Sequence, residues 1–332
     1  MPTDPSDARW LAAAARLAAR GRPLSRPNPA VGCLVVAHDR LVGRGWTQPG
    51  GRPHAEAVAL AQAGDTARGA TVYVTLEPCA HRSDRGPACA DLIAEAAPAR
   101  VVVGVTDPDP RTSGQGIERL RAAGIAIETA DCAASRASLA GYLVRAEHGR
   151  PHVTLKLATS LDGCIAAVTG ESRWITGEIA RAHVHSRRAR ADAILVGGGT
   201  WRADAPRLDV RLAGLEARGP RRVVLSHGAI NGVTTIAAPA AIAGLEGVQY
   251  LYVEGGAQTA AAFLAADLVD RLELYRAPIL IGGGTAALGD IGLPTPAPVA
   301  LADTHGRWRL ADRRQLGSDT WEAYERARTG SE

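Results

Sequence analysis

HAEAVALAQAGDTARGATVYVTLEPCAHRSDRGPAC, residues 54–89, carries the alternation on which the fold of this chain turns. It opens on a helical pattern over 54–63 and passes through 71–76, an apolar, β-branched run of the kind found in a buried strand. It ends where a second helix starts, over 88–96. On its N-terminal side, residues 8–20 read as an amphipathic helix, and 31–37 with 41–45 as two strands joined at His38-Asp39-Arg40. On its C-terminal side follow a strand at 101–105, a helix near 116–123, a short strand at 125–128 and a helix near 134–143. Strands alternating with helices imply a layered α/β architecture.

Gly149-Arg150-Pro151 interrupts this pattern and a second α/β series begins. Residues 1–148 are therefore expected to form one domain and 149–332 another, as suits a chain of 332 residues, which is long for a single core. The second series reads as a strand at 152–158, a helix at 178–190, and a strand at 193–196 that ends in Gly197-Gly198-Gly199-Thr200. Strands at 222–225 and 248–253 follow, the latter running into Glu254-Gly255-Gly256, then a helix at 259–266 and a strand at 271–276. The Ala/Pro/Gly-rich stretches 233–246 and 291–300 read as loops.

With 46% hydrophobic and 22% charged residues, the composition is that of a soluble globular protein. No run approaches the roughly 20 apolar residues of a membrane span, and the N-terminus opens on acidic and Pro residues. The expectation is a cytoplasmic protein with no membrane partner. Five cysteines at irregular spacing argue against a disulfide framework, so Cys33, Cys132 and Cys164 read as small packed residues. A net charge of +4 with scattered Arg favours small anionic ligands over nucleic acid. Of the 38 basic residues only Lys156 is lysine, either by chance or because a deprotonatable ammonium has a use there that Arg cannot serve.

His54, Cys79 and Cys89 supply one imidazole and two thiolates, donors suited to zinc. Three protein ligands leave a fourth position for water, whose pKa zinc lowers to about 7. Glu56 is placed to take a proton from that water and pass it to a leaving amine. The His-x-Glu plus Pro-Cys order matches the signature of zinc nucleobase deaminases. Cys79 and Cys89 stand ten positions apart, which leaves room for a substrate-shaping loop over 81–87. Two alternatives stay open on the residues alone: a structural zinc site closed by a fourth ligand such as His81, and a nucleic-acid base deaminase. The second would call for a basic, aromatic-studded groove, whereas aromatics make up 4% of the chain.

Asn28-Pro29-Ala30-Val31-Gly32-Cys33, His54-Ala55-Glu56, Thr75-Leu76-Glu77-Pro78-Cys79-Ala80-His81 and Asp107-Pro108-Asp109-Pro110 together resemble the deaminase half of the bifunctional RibD family of riboflavin biosynthesis. The resemblance implies a cytidine-deaminase-like three-layer α/β/α domain. Its substrate would be a diaminopyrimidinone carrying a phosphoribosylamino group, with Asn28, His81, Asp107 and Asp109 lining the pocket. Where the family often has Gly-x-His, this chain has Gly45-Trp46-Thr47.

The second half is similar to the reductase half of the same family, which has a dihydrofolate-reductase-like α/β fold and uses NADPH. The similarity rests on Lys156-Leu157-Ala158-Thr159-Ser160-Leu161-Asp162-Gly163, Gly170-Glu171-Ser172-Arg173-Trp174-Ile175-Thr176, Asp204-Ala205-Pro206-Arg207-Leu208-Asp209-Val210-Arg211 and Val253-Glu254-Gly255-Gly256. No Gly-x-Gly-x-x-Gly follows the first strand of either half, so a Rossmann site is not supported. Glycine-rich turns after strands, at 197–199 and 255–256, let backbone amides approach phosphates, and the helix after Gly256 offers its N-terminus.

By the resemblance, Ala158, Trp174, Thr200, Asp204, Ser226, Gly256, Ala257, Gln258, Thr259, Ala260, Ala261 and Ala262 meet NADPH. Ser172, Arg188, Leu208, Arg211 and Glu254 meet the substrate, Arg188 and Arg211 as a fork on its ribose phosphate. Lys156 and Asp162 are the candidates for polarising or protonating the sugar as hydride reaches its C1 carbon. The resemblance further implies a homo-oligomer.

Overall fold

The computed structural model describes residues 4–81, 85–292 and 308–327. The chain divides into two compact units, Met1–Gly149 and Arg150–Glu332.

The first unit runs α1 (Pro5–Ala18), β1 (Gly32–Ala37), β2 (Arg40–Trp46), α2 (Ala55–Ala63), β3 (Thr71–Val74), α3 (Cys89–Ala96), β4 (Arg100–Val103), α4 (Gln115–Ala122), β5 (Ala126–Thr129) and α5 (Ala133–His148). Its five strands form one sheet in the order β2-β1-β3-β4-β5, with β1 antiparallel to both neighbours and β3, β4 and β5 parallel. His38 and Asp39 both take positive φ, 49° and 58°, which matches the two-residue turn of a tight hairpin.

Alternate strand residues point to opposite faces. Cys33, Val35, Val72, Val74, Val101 and Val103 pack with Ala55, Ala59 and Ile93 of α2 and α3. Leu34, Val36, Tyr73 and Val102 pack with Leu11 and Ala14 of α1. The result is three layers. Gly45 lets α2 lie close on the sheet, since a Cβ there would fall 2.1 Å from the Ala55 carbonyl oxygen. That approach fixes the start of α2, where His54 and Glu56 sit. Helix α5 runs past the expected 143 to His148 and stops at Gly149, whose φ of 68° supplies a left-handed cap.

The second unit comprises β6 (His152–Thr159), β7 (Cys164–Ala166), α6 (Glu178–Arg188), β8 (Ala193–Gly197), α7 (Gly198–Asp204), β9 (Arg221–Leu225), β10 (Thr234–Ile236), β11 (Tyr250–Val253), α8 (Ala257–Ala265), β12 (Arg271–Arg276), β13 (Thr285–Ala286), β14 (Trp308–Leu316) and β15 (Asp319–Arg326). Eight strands form one sheet, β10-β9-β8-β11-β6-β12-β15-β14; β7 and β13 pair separately. All contacts from β10 to β12 are parallel, and β15 and β14 add an antiparallel edge. Phe263 and Leu264 of α8 cover Val153, Leu155 and Leu195 on one face. Ala180 and Val184 of α6 cover Ile194, Tyr252, Tyr275 and Trp321 on the other.

Three readings need correction. The stretch 233–246 is not all loop: it holds β10 and a 3-10 turn, Pro239–Gly244, anchored by buried Ile242. The Gly197-Gly198-Gly199 step is not a turn, because α7 starts at Gly198 directly from β8. The β14–β15 hairpin has no counterpart in the sequence reading. Its inward residues, such as Trp321 and Ala323, alternate with so many charged ones that the run looks polar. Of the expected loop 291–300, residues 293–300 lie outside the described residues, as do 82–84 of the loop between Cys79 and Cys89. Among the described residues no helix is long and apolar enough to cross a membrane.

Candidate active sites

In the first unit, His54 precedes α2, Cys89 is the first residue of α3, and Cys79 follows β3. His54 Nδ1 lies 3.2 Å from Cys89 Sγ and 3.7 Å from Cys79 Sγ, and the Cys89 N–H donates to Cys79 Sγ at 3.3 Å. The three ligand atoms all fall within 4.8 Å of one another, and His81 is not part of the cluster. The Cys89 thiol, and after it His54, hydrogen-bond to Cys79 and pull its thiol down to about 4 against the effect of burial. Glu56, in the first turn of α2, is 3% exposed. Burial first, and then the charge at Cys79, push its carboxyl above the ordinary range, while His54 opposes them. A raised carboxyl beside a nitrogen-and-sulfur donor set is suited to shuttling a proton. The donor set itself fits zinc.

His54, Glu56 and Cys79 share the wall of a cavity of about 400 Å³ with Asn28, His81, Asp107 and Asp109. Every expected pocket residue of this half is therefore gathered there. Asn28 donates through Nδ2 to the Gly51 carbonyl at 3.0 Å and stands 3.2 Å from His54 Nε2. Among the described residues the buried Nδ1 atom of His81 has no partner, as befits a group that faces a ligand. Asp107 accepts from the Tyr142 hydroxyl at 2.6 Å, and Asp109 is held by Arg111.

Glu77 is the residue that sequence reasoning passed over. Its buried carboxylate accepts from four backbone amides: Asp107 and Gly114 on Oε2 at 3.3 and 3.1 Å, Gly116 and Ile117 on Oε1 at 3.1 and 3.2 Å. Two of these are first-turn N–H groups of α4, which have no partner inside the helix. Glu77 thus caps α4 from 40 residues away and fixes the Asp107 loop beside Cys79. Gly116 presses against this corner, since a Cβ there would lie 2.0 Å from the Pro78 carbonyl oxygen.

In the second unit a cavity of about 340 Å³ is lined by Lys156, Ser172, Arg188, Leu208, Arg211 and Glu254, and also by Ala158, Trp174, Thr200, Asp204 and Gly256. Arg188 grips Glu254 through Nε at 2.6 Å and Nη2 at 2.9 Å, and its Nη1 reaches the Asp209 carbonyl at 3.1 Å. Lys156 Nζ lies 3.9 Å from Glu254 Oε2. Burial pulls the Lys156 ammonium below its ordinary range, with Glu254 opposing and Arg188 assisting. His185, which the sequence did not single out, lines the same cavity and accepts the Arg211 N–H at 3.2 Å.

The structure does not bring every expected residue to this cavity. Asp162 lies outside its lining, where it accepts from Ser160 Oγ and from the Ile281 and Gly282 amides. The Ser160 bond, then those amides, hold it at about 2, so it carries no proton near neutrality. Ser226 and residues 257–262 are also outside the lining, and the Ala260 side chain is in the core. Gly197 and Gly255 pack on Thr259 so tightly that a Cβ would come within 2.3 and 2.4 Å of it. This places the start of α8 beside Thr200, 3.8 Å from a Cβ built at Gly256, a narrow backbone cradle that fits a phosphate-bearing cofactor.

Residues 5–105 match the family described as the cytidine and deoxycytidylate deaminase zinc-binding region. Residues 151–235 and 230–321 match the RibD C-terminal domain. Riboflavin biosynthesis protein RibD of Escherichia coli (strain K12) is 35% identical over 363 residues, covering 94% of this chain and 97% of that protein.

The chain belongs to the RibD family.

The solved RibD structure from Acinetobacter baumannii (form 1) superposes with a TM-score of 0.82 at 33% identity, covering 97% of this chain and 99% of that one. The Thermotoga maritima structure is titled a diaminohydroxyphosphoribosylaminopyrimidine deaminase/5-amino-6-(5-phosphoribosylamino)uracil reductase. It superposes with a TM-score of 0.81 at 27% identity over 97% and 99% of the two chains. The first unit thus has the cytidine-deaminase-like fold and the second the dihydrofolate-reductase-like fold of the RibD reductase domain. The family joins a zinc deaminase to an NADPH-dependent reductase in riboflavin biosynthesis.

Proposed function

We propose that the two cavities perform the two RibD reactions in turn: the first deaminates a diaminopyrimidinone bearing a phosphoribosylamino group, and the second reduces the ribosyl group to ribityl. Residues 1–148 would carry the deaminase and 149–332 the reductase. The observation that carries this reading is the His54, Cys79 and Cys89 cluster with buried Glu56 in the same cavity wall.

His54, Cys79 and Cys89 would hold zinc, which when bound supplies a water acidified to a pKa of about 7. Glu56 takes a proton there and returns it to the departing amine; its raised carboxyl suits both directions of transfer. Asn28, His81, Asp107 and Asp109 orient the pyrimidine and the ribose phosphate. In the second cavity NADPH would lie along Ala158, Trp174, Thr200, Asp204 and the start of α8, and supplies hydride. Glu254, fixed by Arg188, holds Lys156 close enough to place a proton donor at the sugar. Because three N–H groups of Arg188 are already engaged, Arg211 is the freer contact for a phosphate. The proposal also takes the enzyme to be cytoplasmic, as its sequence suggests, and a homo-oligomer, as the resemblance implies, acting on a small molecule and on no nucleic acid.

The test is a two-readout assay on the full chain with the pyrimidine phosphate and NADPH. Wild type should release ammonia and then consume NADPH. Glu56→Gln should retain zinc and lose ammonia release by at least about 100-fold, the usual scale of general acid–base catalysis. Deamination that survives this change would overturn the assignment of Glu56.

A further inference from the structure

We infer that Arg52 is the cation that recognises the phosphate of the substrate at the deaminase cavity. The inference rests on the reading of that cavity given above and adds a contact that the sequence did not single out. Two features mark Arg52: its position in the cavity wall, and the absence, among the described residues, of any acid set against its charge.

Among the described residues the cavity wall contains three arginines, Arg52, Arg85 and Arg111. Arg111 is neutralised: Nε and Nη2 both bond the Asp109 carboxylate, the latter at 2.5 Å. Arg85 reaches across to the Gly50 carbonyl at 2.5 Å. Arg52 has a different status. It lies two residues before His54, is half-buried, and among the described residues makes one hydrogen bond, from Nη1 to the Pro87 carbonyl at 3.3 Å. Among the described residues no carboxylate pairs with it. Of the acids described in the same wall, Glu77 is engaged by four amides, Asp109 by Arg111 and Asp107 by Tyr142, and Glu56 stands at the metal cluster.

A half-buried guanidinium that spends one of five N–H donors on a long backbone contact keeps its fork for a ligand. Fork geometry matches the oxygens of a phosphate monoester and would repel a second cation. Arg52 and Arg85 also cross between the same two segments, Arg52 from the 49–53 turn to Pro87 and Arg85 back to Gly50. A phosphate seated between them would be gripped from both sides of the opening, with the pyrimidine directed inward toward Glu56. Thr47 stands in the same wall but its hydroxyl already accepts the Val31 N–H at 2.9 Å, so it offers no charge for this purpose.

The experiment uses the zinc-loaded full chain and three probes: the phosphorylated pyrimidine, its phosphatase-treated counterpart, and inorganic phosphate as a competitor. Arg52→Gln should raise KM for the phosphorylated compound roughly 10- to 100-fold, the range of a lost charge-assisted fork. KM for the dephosphorylated compound should move far less, so the preference for phosphate collapses. Inhibition by inorganic phosphate should weaken in parallel. Arg52→Lys should recover part of the preference, because it restores the charge without the fork. Zinc content, and NADPH oxidation with the deaminated intermediate supplied, report that both units remain folded. If Arg52→Gln discriminates between the two pyrimidines as wild type does, or loses equal activity on both, Arg52 is only a strap to Pro87 and the inference falls. If wild type releases no ammonia from either pyrimidine, the functional reading of the cavity fails first, a result separate from any effect at Arg52.

Discussion

Glu77→Gln tests how the deaminase site is held together. The Glu77 carboxylate is 3% exposed and splits its four amide partners evenly, Asp107 and Gly114 on one oxygen and Gly116 and Ile117 on the other. Glutamine keeps one oxygen and replaces the other with an NH2 group. Whichever way it turns, two N–H donors lose their acceptor and face another donor. A buried donor left unpaired costs about 1–3 kcal/mol, so two put the loss at roughly 2–6 kcal/mol. Domains of this size have only about 5–15 kcal/mol in total. With a urea slope of about 2 kcal/mol per molar, the midpoint should fall by roughly 1–3 M. The assay is urea titration of one sample with two readouts, ammonia release for the first unit and NADPH oxidation, with the deaminated intermediate supplied, for the second. The first midpoint should drop and the second stay in place. A shift below about 0.3 M, or an equal shift in both readouts, would show that Glu77 is not the pillar of the Asp107 loop and α4.

Two further outcomes follow from the second unit. Asp270 is buried and accepts from Arg150 at 2.6 and 2.8 Å and from the Val153 amide at 2.9 Å, so Asp270→Asn should destabilise this unit by about 3–5 kcal/mol in a denaturant titration read by NADPH oxidation. Burial pushes the Asp270 carboxyl up, but its bonds to Arg150, together with the charge of His152, outweigh this and hold it below the ordinary value. The stabilisation is therefore complete above the unfolded pKa of about 3.9 and is lost as pH falls through the lower folded value, and the wild-type and Asn curves should converge only in that acid range. Gly255→Ala would place a Cβ 2.4 Å from Thr259 Cβ and push the start of α8 off β11. KM for NADPH should rise about tenfold or more while ammonia release holds, and an unchanged KM would remove this corner from the cofactor site.

What the sequence disclosed and what it hid divide by distance along the chain. His54 and Glu56 are legible because both sit where one helix starts, and Cys79 and Cys89 because each follows or begins an element whose period is plain. A strand-to-helix junction puts such residues at one edge of a sheet whatever the rest of the fold does, so a local pattern is enough to place the metal cluster. Glu77 stood inside the same quoted motif and was still missed, because its partners lie 30 to 40 residues on and are backbone amides, which carry no residue type to read. The same holds for the pairing of Arg188 with Glu254, 66 residues away, which no local pattern announces. Asp162 shows the converse: its place in a motif suggested chemistry, yet its carboxylate is consumed by amides 119 and 120 residues further along.

Arg52 belongs with these, and its case extends the point to function. In sequence it is one arginine among many, and nothing nearby marks it. Its distinction is a charge that no carboxylate among the described residues opposes, in a wall where Glu77, Asp107 and Asp109 already have partners, and that can be read only after each of these acids has been traced to its partner. Ligand recognition is thus carried by what folding leaves unsatisfied, whereas motif residues mark where the chemistry occurs. A burial and pairing census around the zinc cluster therefore separates catalytic from recognition residues in a way that the motif alone does not.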